Sequence, residues 1–446
     1  MGTFADSLCQ VILVRSLIIF WKNMEKALIN QNKHWRGEEY KELYNREILS
    51  GIIQRLALKE ILVFLGIRRS GKSTLQKLLI NHLLKETDGR KILYINLDDP
   101  YYSEVHKDPK NLYRIIEIAE KLTGEKTVYL FLDEIQNVRN WEKWVKSAYD
   151  SEIYKKIFVS GSNSNLLKSD YSGLLSGRYI IQEVFPFSYR EILNNQGIND
   201  HLSLAESKST VMSIIDNMLE YGGFPEVFKT IERELKRDII VNYYDTIVLK
   251  DCISQGKIRD IKTFKELTHY IISNTTSLYS YNSLARVIDS NDGSIKEFLR
   301  IMEEAFLMYE TNNYSFSLKH QIKGRKKIYC SDNGFLSNIS FRFSANKGKL
   351  FENLVFTELK KRAYKIYFHN INKECDFIFS DEKNQKLRAI QVCFEINETN
   401  RKREIAGLKA VRTKLGINDG IILTYDQEEK VDGFTVIPFW KYFFWE

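Results

Sequence analysis

The chain has 446 residues, with 66 Lys+Arg against 58 Asp+Glu and a formal net charge of +8. At about 150 residues per domain, that length predicts roughly three domains. An apolar fraction of 43% and an aromatic fraction of 13% exclude a disordered chain, and 22 Gly with 5 Pro exclude a collagen-like or linker-rich one. Five cysteines (Cys9, Cys252, Cys330, Cys375, Cys393) are scattered and never form a C-x-x-C pair. This argues against a disulfide scaffold and a structural zinc site, and for a reducing, cytoplasmic compartment. The modest charge permits a nucleic-acid partner without requiring one.

Residues 10–21 are apolar, but Arg15 interrupts them. They fall short of the roughly 20 residues of a spanning helix, so no membrane partner is expected. They also lack the basic start and small-residue cleavage site of a signal peptide. Residues 1–23 read either as an N-terminal extension or as sequence preceding a true start at Met24.

Residues 24–200 read as the first domain. Short continuous apolar runs, Ile61–Leu65, Ile92–Leu97, Val128–Leu132, Ile157–Val159 and Tyr179–Val184, alternate with helical patterns such as Leu75, Leu78, Leu79 and Leu83. Continuous runs suit strands covered on both faces, so the expected fold class is α/β with a parallel sheet. Within it, Gly66-Ile67-Arg68-Arg69-Ser70-Gly71-Lys72-Ser73 matches the phosphate-loop pattern G-x-x-x-x-G-K-[ST], between a strand and an amphipathic helix that starts at Thr74. Backbone N–H groups of Gly66 to Thr74 and the helix N-terminus would cradle a triphosphate. Lys72 would reach the β- and γ-phosphates, and the Ser73 hydroxyl would face Mg²⁺. A second strand delivers Asp133 and Glu134. Asp133 would hold the Mg²⁺ water shell, and Glu134 would polarise the attacking water. A third strand ends in Ser160-Gly161-Ser162-Asn163, where a polar side chain would contact the γ-phosphate or position water. Residue types do not decide among Ser160, Ser162 and Asn163. Arg178 is a further candidate, as an arginine finger in cis or across a subunit boundary of a homo-oligomer.

Residues 201–347 read as a helical and winged-helix domain. Phe264–Ser273, Ser280–Ile288 and Ser294–Met308 show helical spacing, with Ser294 as the expected cap of the last. A β-like stretch from Tyr309 to Tyr329 follows and carries the basic run Lys319 to Lys327. Three helices and a basic ribbon outline a winged helix. Its lysines, with Arg342, Lys347 and Lys349, and its interleaved Tyr314, Phe316 and Tyr329, suit phosphates and bases of DNA. The clusters Lys360-Lys361-Arg362 and Arg401-Lys402-Arg403 add further positive charge.

Residues 348–446 read as a second α/β unit, with helices at Phe351–Lys361 and Arg401–Leu415 and strands at Lys365–His369, Cys375–Phe379, Arg388–Phe394 and Gly420–Tyr425.

The phosphate loop, Leu132-Asp133-Glu134-Ile135-Gln136-Asn137-Val138 and Trp141 resemble the AAA-type ATPases of bacteria and archaea that carry a C-terminal domain of undefined function. Ser160-Gly161-Ser162, Leu175-Ser176-Gly177-Arg178, Pro186-Phe187-Ser188-Tyr189-Arg190-Glu191 and Tyr221-Gly222-Gly223-Phe224-Pro225-Glu226 follow in the same order. The resemblance runs from about Met24 to near the C-terminus. It implies an AAA-like P-loop core, a helical and winged-helix middle and a nuclease-like end. Glu374-Cys375-Asp376 and Gln391-Val392-Cys393 resemble the PD-(D/E)XK nuclease fold, with Glu352 as its helical acid and Asp376 as its first strand acid. Gln391 stands where that pattern has an acid, and Cys393 where it has a lysine. A lysine from elsewhere, such as Lys361, would have to replace it. The expectation is a nuclease-like fold retained without cleavage.

The reading at this level is an ATP- and Mg²⁺-dependent ATPase whose cycle repositions DNA-facing domains. A slow nucleotide switch with a protein partner, an ATP-gated nuclease and a scaffold with incidental ATP affinity stand as the other readings.

Overall fold

The computed structural model describes residues 23–167, 172–340, 346–370, 373–380 and 386–445. All but the last residue of the expected 1–23 extension, and Arg342 of the basic cluster, lie outside the described residues. The chain divides into two compact units. One reaches up to Gly66 and resumes over Gly71–Val184, and the other takes Ile67–Ser70 and Phe185–Glu446.

In the first unit, β1 (Ile61–Leu65), β2 (Ile92–Asn96), β3 (Tyr129–Asp133), β4 (Lys156–Gly161) and β5 (Tyr179–Glu183) form a five-stranded sheet in the order β2-β3-β4-β1-β5. Every pairing is parallel. β1, β3 and β4 are buried along their whole length: their apolar runs fill the core, and Asp133, Lys156 and Ser160 are buried at the strand ends. β5 is an edge strand, and Ile181 there is 47% exposed. Helix Lys72–Leu83 lays Leu75, Leu79, Ile80 and Leu83 into the core that holds Leu62 and Phe64. Phe131 and Phe158, directly opposite on β3 and β4, stack with centroids 4.0 Å apart. Each such large side chain contributes about 1.5–3 kcal/mol of burial. A parallel sheet brings all strand C-termini to one edge, so Gly66, Asp133 and Ser162 emerge together.

The second unit opens with helices, among them Lys208–Tyr221 and Arg233–Thr246, the latter continuing as a π-helical segment Ile247–Ser254. Helix Ile261–Ser273, β6 (Leu278–Tyr279), helices Tyr281–Val287 and Asp292–Glu304, β7 (Met308–Asn312) and β8 (Lys326–Cys330) follow. These strands form an antiparallel sheet in the order β6-β8-β7. Ser280 caps helix Tyr281–Val287, its side chain accepting from the Ser283 N–H at 3.2 Å. The next cap is Asn291 rather than Ser294, because that helix starts one turn earlier and the Asn291 side chain accepts from the Ser294 N–H at 2.9 Å. The basic run is not a ribbon. Lys319 and Lys323 lie on a short helix, Leu318–Lys323, whereas Lys326 and Lys327 lie on β8, which is buried throughout. Lys326 pairs with Glu310 at 3.0 Å. Neither of these two lysines presents a surface charge.

Helix Lys347–Lys361 leads into a six-stranded mixed sheet ordered β13-β14-β12-β11-β10-β9. Its strands are β9 (Lys365–Asn370), β10 (Glu374–Ser380), β11 (Leu387–Val392), β12 (Gly420–Thr424), β13 (Glu429–Val431) and β14 (Phe434–Pro438). Helix Arg401–Leu415 covers it with Ile405, Leu408 and Val411. The four cysteines among the described residues are free and buried. Among the described residues, no helix is long and apolar enough to cross a membrane.

The Gly222-Gly223 pair has a structural cause. Gly222 has φ +76° and ψ −159°, a region open in practice only to glycine. A Cβ there would stand 1.6 Å from Asp332 Oδ1. The Asp332 carboxylate accepts from the Gly223 and Gly334 N–H groups at 2.8 and 2.9 Å, and its burial raises its pKa to about 6. Gly222→Ala is therefore expected to destabilise the protein by about 1–3 kcal/mol, read as a lower denaturant midpoint. An unchanged midpoint would contradict this packing.

Candidate functional site

Leu65 ends β1 and the chain turns at Gly66, whose φ is +153°. A Cβ on Gly66 would lie 2.1 Å from Val184 O, so only glycine passes this point. The loop tightens through Ser70 N–H to Ile67 O at 3.2 Å, and Gly71 precedes the first turn of helix Lys72–Leu83. Lys72 is 4% exposed and donates to Gly66 O at 3.0 Å, which curls its ammonium back over the loop. The Arg68 guanidinium forms two hydrogen bonds to buried Asp251, at 2.9 and 3.0 Å. Arg69 stands 5.5 Å from the Tyr243 ring centroid. The side chains of both loop arginines thus engage helical residues within the second unit.

Asp133 sits at the C-terminal end of β3, 1% exposed. Its Oδ1 accepts from Gln76 Nε2 at 3.1 Å and from the Ser160 hydroxyl, and its Oδ2 accepts from Tyr94 OH at 2.6 Å. Ser73 also hydrogen-bonds to it. Burial, then the adjacent Glu134 charge, raises the Asp133 pKa despite these donors. A buried carboxylate with a second acid beside it favours a nearby cation. The donor set of Ser73 hydroxyl and Asp133 carboxylate is all hard oxygen, which fits Mg²⁺. Glu134 adopts a left-handed conformation at φ 55°, unusual for a non-glycine residue. Its N–H is held by Ser160 Oγ at 3.1 Å, and its carboxylate accepts from Gln136 Nε2. Ser160 is thus the third-strand residue that touches both acids, while Ser162 reaches Gln136 at 3.3 Å. Gln76 and Tyr94 escaped the sequence reading. Gln76 carries a signal, because it lies four residues past Lys72 and so on the same helix face. Tyr94 carries only a weak one, a polar tip inside a buried strand.

Arg178 stands elsewhere. Its carbonyl accepts from Ile61 N–H at 2.8 Å, at the N-terminal start of β1. The length of β1, about 15 Å at 3.3 Å per residue, separates it from the loop. Its guanidinium pairs with Asp150 at 3.1 Å. An arginine-finger role in cis is therefore corrected. The sheet holds Arg178 at the opposite edge.

The three residues of the nuclease-like pattern do converge, in a cleft of about 570 Å³. Gln391 Nε2 donates to Asp376 Oδ2 and to Glu404 Oε2, both at 2.8 Å. Val392 N–H donates to the same Asp376 oxygen at 2.9 Å. Glu352 accepts from Tyr329 OH at 2.9 Å. The lysine comes from β8. Lys327 Nζ lies 2.8 Å from Glu352, 2.6 Å from Glu374 and 3.4 Å from Asp376. Burial opposes its charge, but Glu352 and then Tyr329, Asp376 and Glu374 outweigh that and hold its pKa well above the ordinary value. Burial and then the Glu352 charge push Asp376 up to about 8. Burial pushes the Cys393 thiol up to about 12, so it supplies neither a cation nor a thiolate. Lys361 does not enter the cleft. It donates to Phe187 O at 2.8 Å and to Glu358 at 2.9 Å. Of the other basic clusters, Arg362 pairs with Glu358, Arg401 with Glu429 and Arg403 with Glu404.

A five-stranded parallel sheet with this loop at the tip of its β1 strand defines a P-loop protein of the AAA ATPase class. Family comparison agrees. Residues 58–193 match the AAA domain, and residues 212–346 and 347–442 each match a domain of unknown function. An uncharacterized protein of Methanocaldococcus jannaschii is 32% identical over 410 residues, covering 87% of this chain and 89% of that protein. An uncharacterized protein of Haemophilus influenzae is 30% identical over 411 residues, covering 89% and 98%. A structure of the Aeropyrum pernix Orc1 protein in complex with DNA is 12% identical, covers 69% of this chain and 95% of that one, and has a TM-score of 0.31. The chain belongs to the family of bacterial and archaeal AAA-type P-loop ATPases that carry C-terminal domains of unknown function.

Proposed function

We propose that the chain binds ATP with Mg²⁺ and hydrolyses it, and that the cycle repositions domains that face DNA. The observation that carries this is Asp133, buried at the tip of β3 and held by Gln76, Tyr94 and Ser160 with Ser73 beside it. The backbone N–H groups of the loop and Lys72 would grip the phosphates. Ser73 and Asp133 would hold Mg²⁺, which when bound offsets charge on the phosphoryl oxygens. Glu134, aimed by Ser160 and Gln136, would take the proton of the attacking water. A turnover assay with and without a panel of DNAs tests the proposal, since DNA-stimulated turnover separates a DNA partner from a protein partner.

The DNA-facing part is supported by the order helix, strand, two helices, strand, short helix, strand with sheet order β6-β8-β7, which resembles a winged helix whose wing carries the helix Leu318–Lys323. At its tip Lys319, Lys323 and Arg325 are exposed, as is Phe316. These cations would pair with phosphates, and Phe316 would offer a stacking face. Binding should then weaken with salt, at a slope near −0.9 per neutralised phosphate. Changing Lys319, Lys323 and Arg325 together to alanine should flatten that slope by about 2–3. An unaltered slope would remove the wing from the interface.

A further inference from the structure

Lys327 enters the acidic cleft from β8, a strand of a different sheet from Glu374, Asp376 and Gln391. Three carboxylates meet its one nitrogen, at 2.6, 2.8 and 3.4 Å, and its side chain is 2% exposed. The Phe368 ring lies 5.9 Å from the ammonium and shields it. A magnesium-like ion shared by Glu352 and Asp376 would stand about 2.0–2.1 Å from their oxygens. That is the space the ammonium fills, and two cations so close repel strongly. The other Asp376 oxygen is engaged as well, by the Gln391 amide and the Val392 N–H. With the Gln391 NH₂ between Asp376 and Glu404, this side chain turns donors rather than its oxygen toward the two acids. The residues present therefore do not fit the divalent ion that a nuclease-like fold implies.

We infer that Lys327 is the resident cation of this cleft: it pairs with Glu352, Glu374 and Asp376, ties β8 to the six-stranded sheet, and keeps divalent metal ions out. The cleft is then a closed electrostatic joint, and loss of the lysine would open a metal site.

Mn²⁺ binding to the nucleotide-free full chain, followed by electron paramagnetic resonance, tests this. The wild type is expected to hold no Mn²⁺ that depends on Asp376. Lys327→Met is expected to gain about one ion per chain, coordinated by the freed carboxylates, and to lose it again when Asp376→Asn is added. Wild-type Mn²⁺ binding that disappears on Asp376→Asn would overturn the inference. A folded Lys327→Met that takes up no ion would overturn it as well. If that variant does not fold in metal-free buffer, Mn²⁺ should restore its circular dichroism by replacing the missing charge, and failure to do so would also count against the resident-cation role.

Discussion

Lys72→Ala is expected to abolish nucleotide binding while leaving the fold intact. Lys72 is the first residue of its helix, and its ammonium rests on the neutral Gly66 carbonyl at 3.0 Å. A phosphate oxygen is the stronger partner, because both groups are then charged. Two such hydrogen bonds at about 1.5–3 kcal/mol each amount to about 3–6 kcal/mol, or roughly two to four orders of magnitude in affinity. Alanine is a better helix former than lysine, so the helix itself loses nothing. Titration with a fluorescent ATP analogue reads the loss directly. Affinity near that of the wild type would place the triphosphate elsewhere.

Glu134→Gln is expected to bind ATP as the wild type does and to slow its hydrolysis by about 10²–10⁴-fold. The substitution keeps the side-chain shape and removes the proton acceptor. The backbone here is already specialised. Glu134 holds φ 55°, and its N–H is pinned to Ser160 Oγ. Left-handed backbone at a non-glycine residue costs of order 1–3 kcal/mol and persists where the surroundings impose it. In this protein it turns the acid away from the strand line and beside Gln136. Phosphate release under saturating ATP, set beside ATP affinity, separates the two effects. Unchanged turnover would assign the base to another residue.

The phosphate loop and the Asp133-Glu134 pair were legible because their chemistry needs adjacent residues on a strand, a turn and a helix. The central strands were legible as unbroken apolar runs. Lys326 and Lys327 were not, because what buries them lies far along the chain. Glu310 holds the first, and Glu352, Glu374 and Asp376 hold the second. Local patterning reads such lysines as surface charge. The cis option for Arg178 was not decidable from sequence for a related reason. Its position relative to the loop depends on the pairing of β5 with β1, where Tyr179 meets Ile61 at the edge far from Gly66. The supports of Asp133 from Tyr94 and Ser160 likewise depend on strand neighbours. The cap at Asn291 differs from Ser294 by one turn because both residues can cap, and only the helix start decides between them.

ATP turnover is the activity proposed for this site. Its most direct measurement is inorganic phosphate released by the purified full chain in saturating ATP with Mg²⁺. Continued release beyond one phosphate per chain, lost on addition of a chelator, is the expected result. A chain that binds ATP tightly yet releases none, or stops after a single turnover, would contradict it.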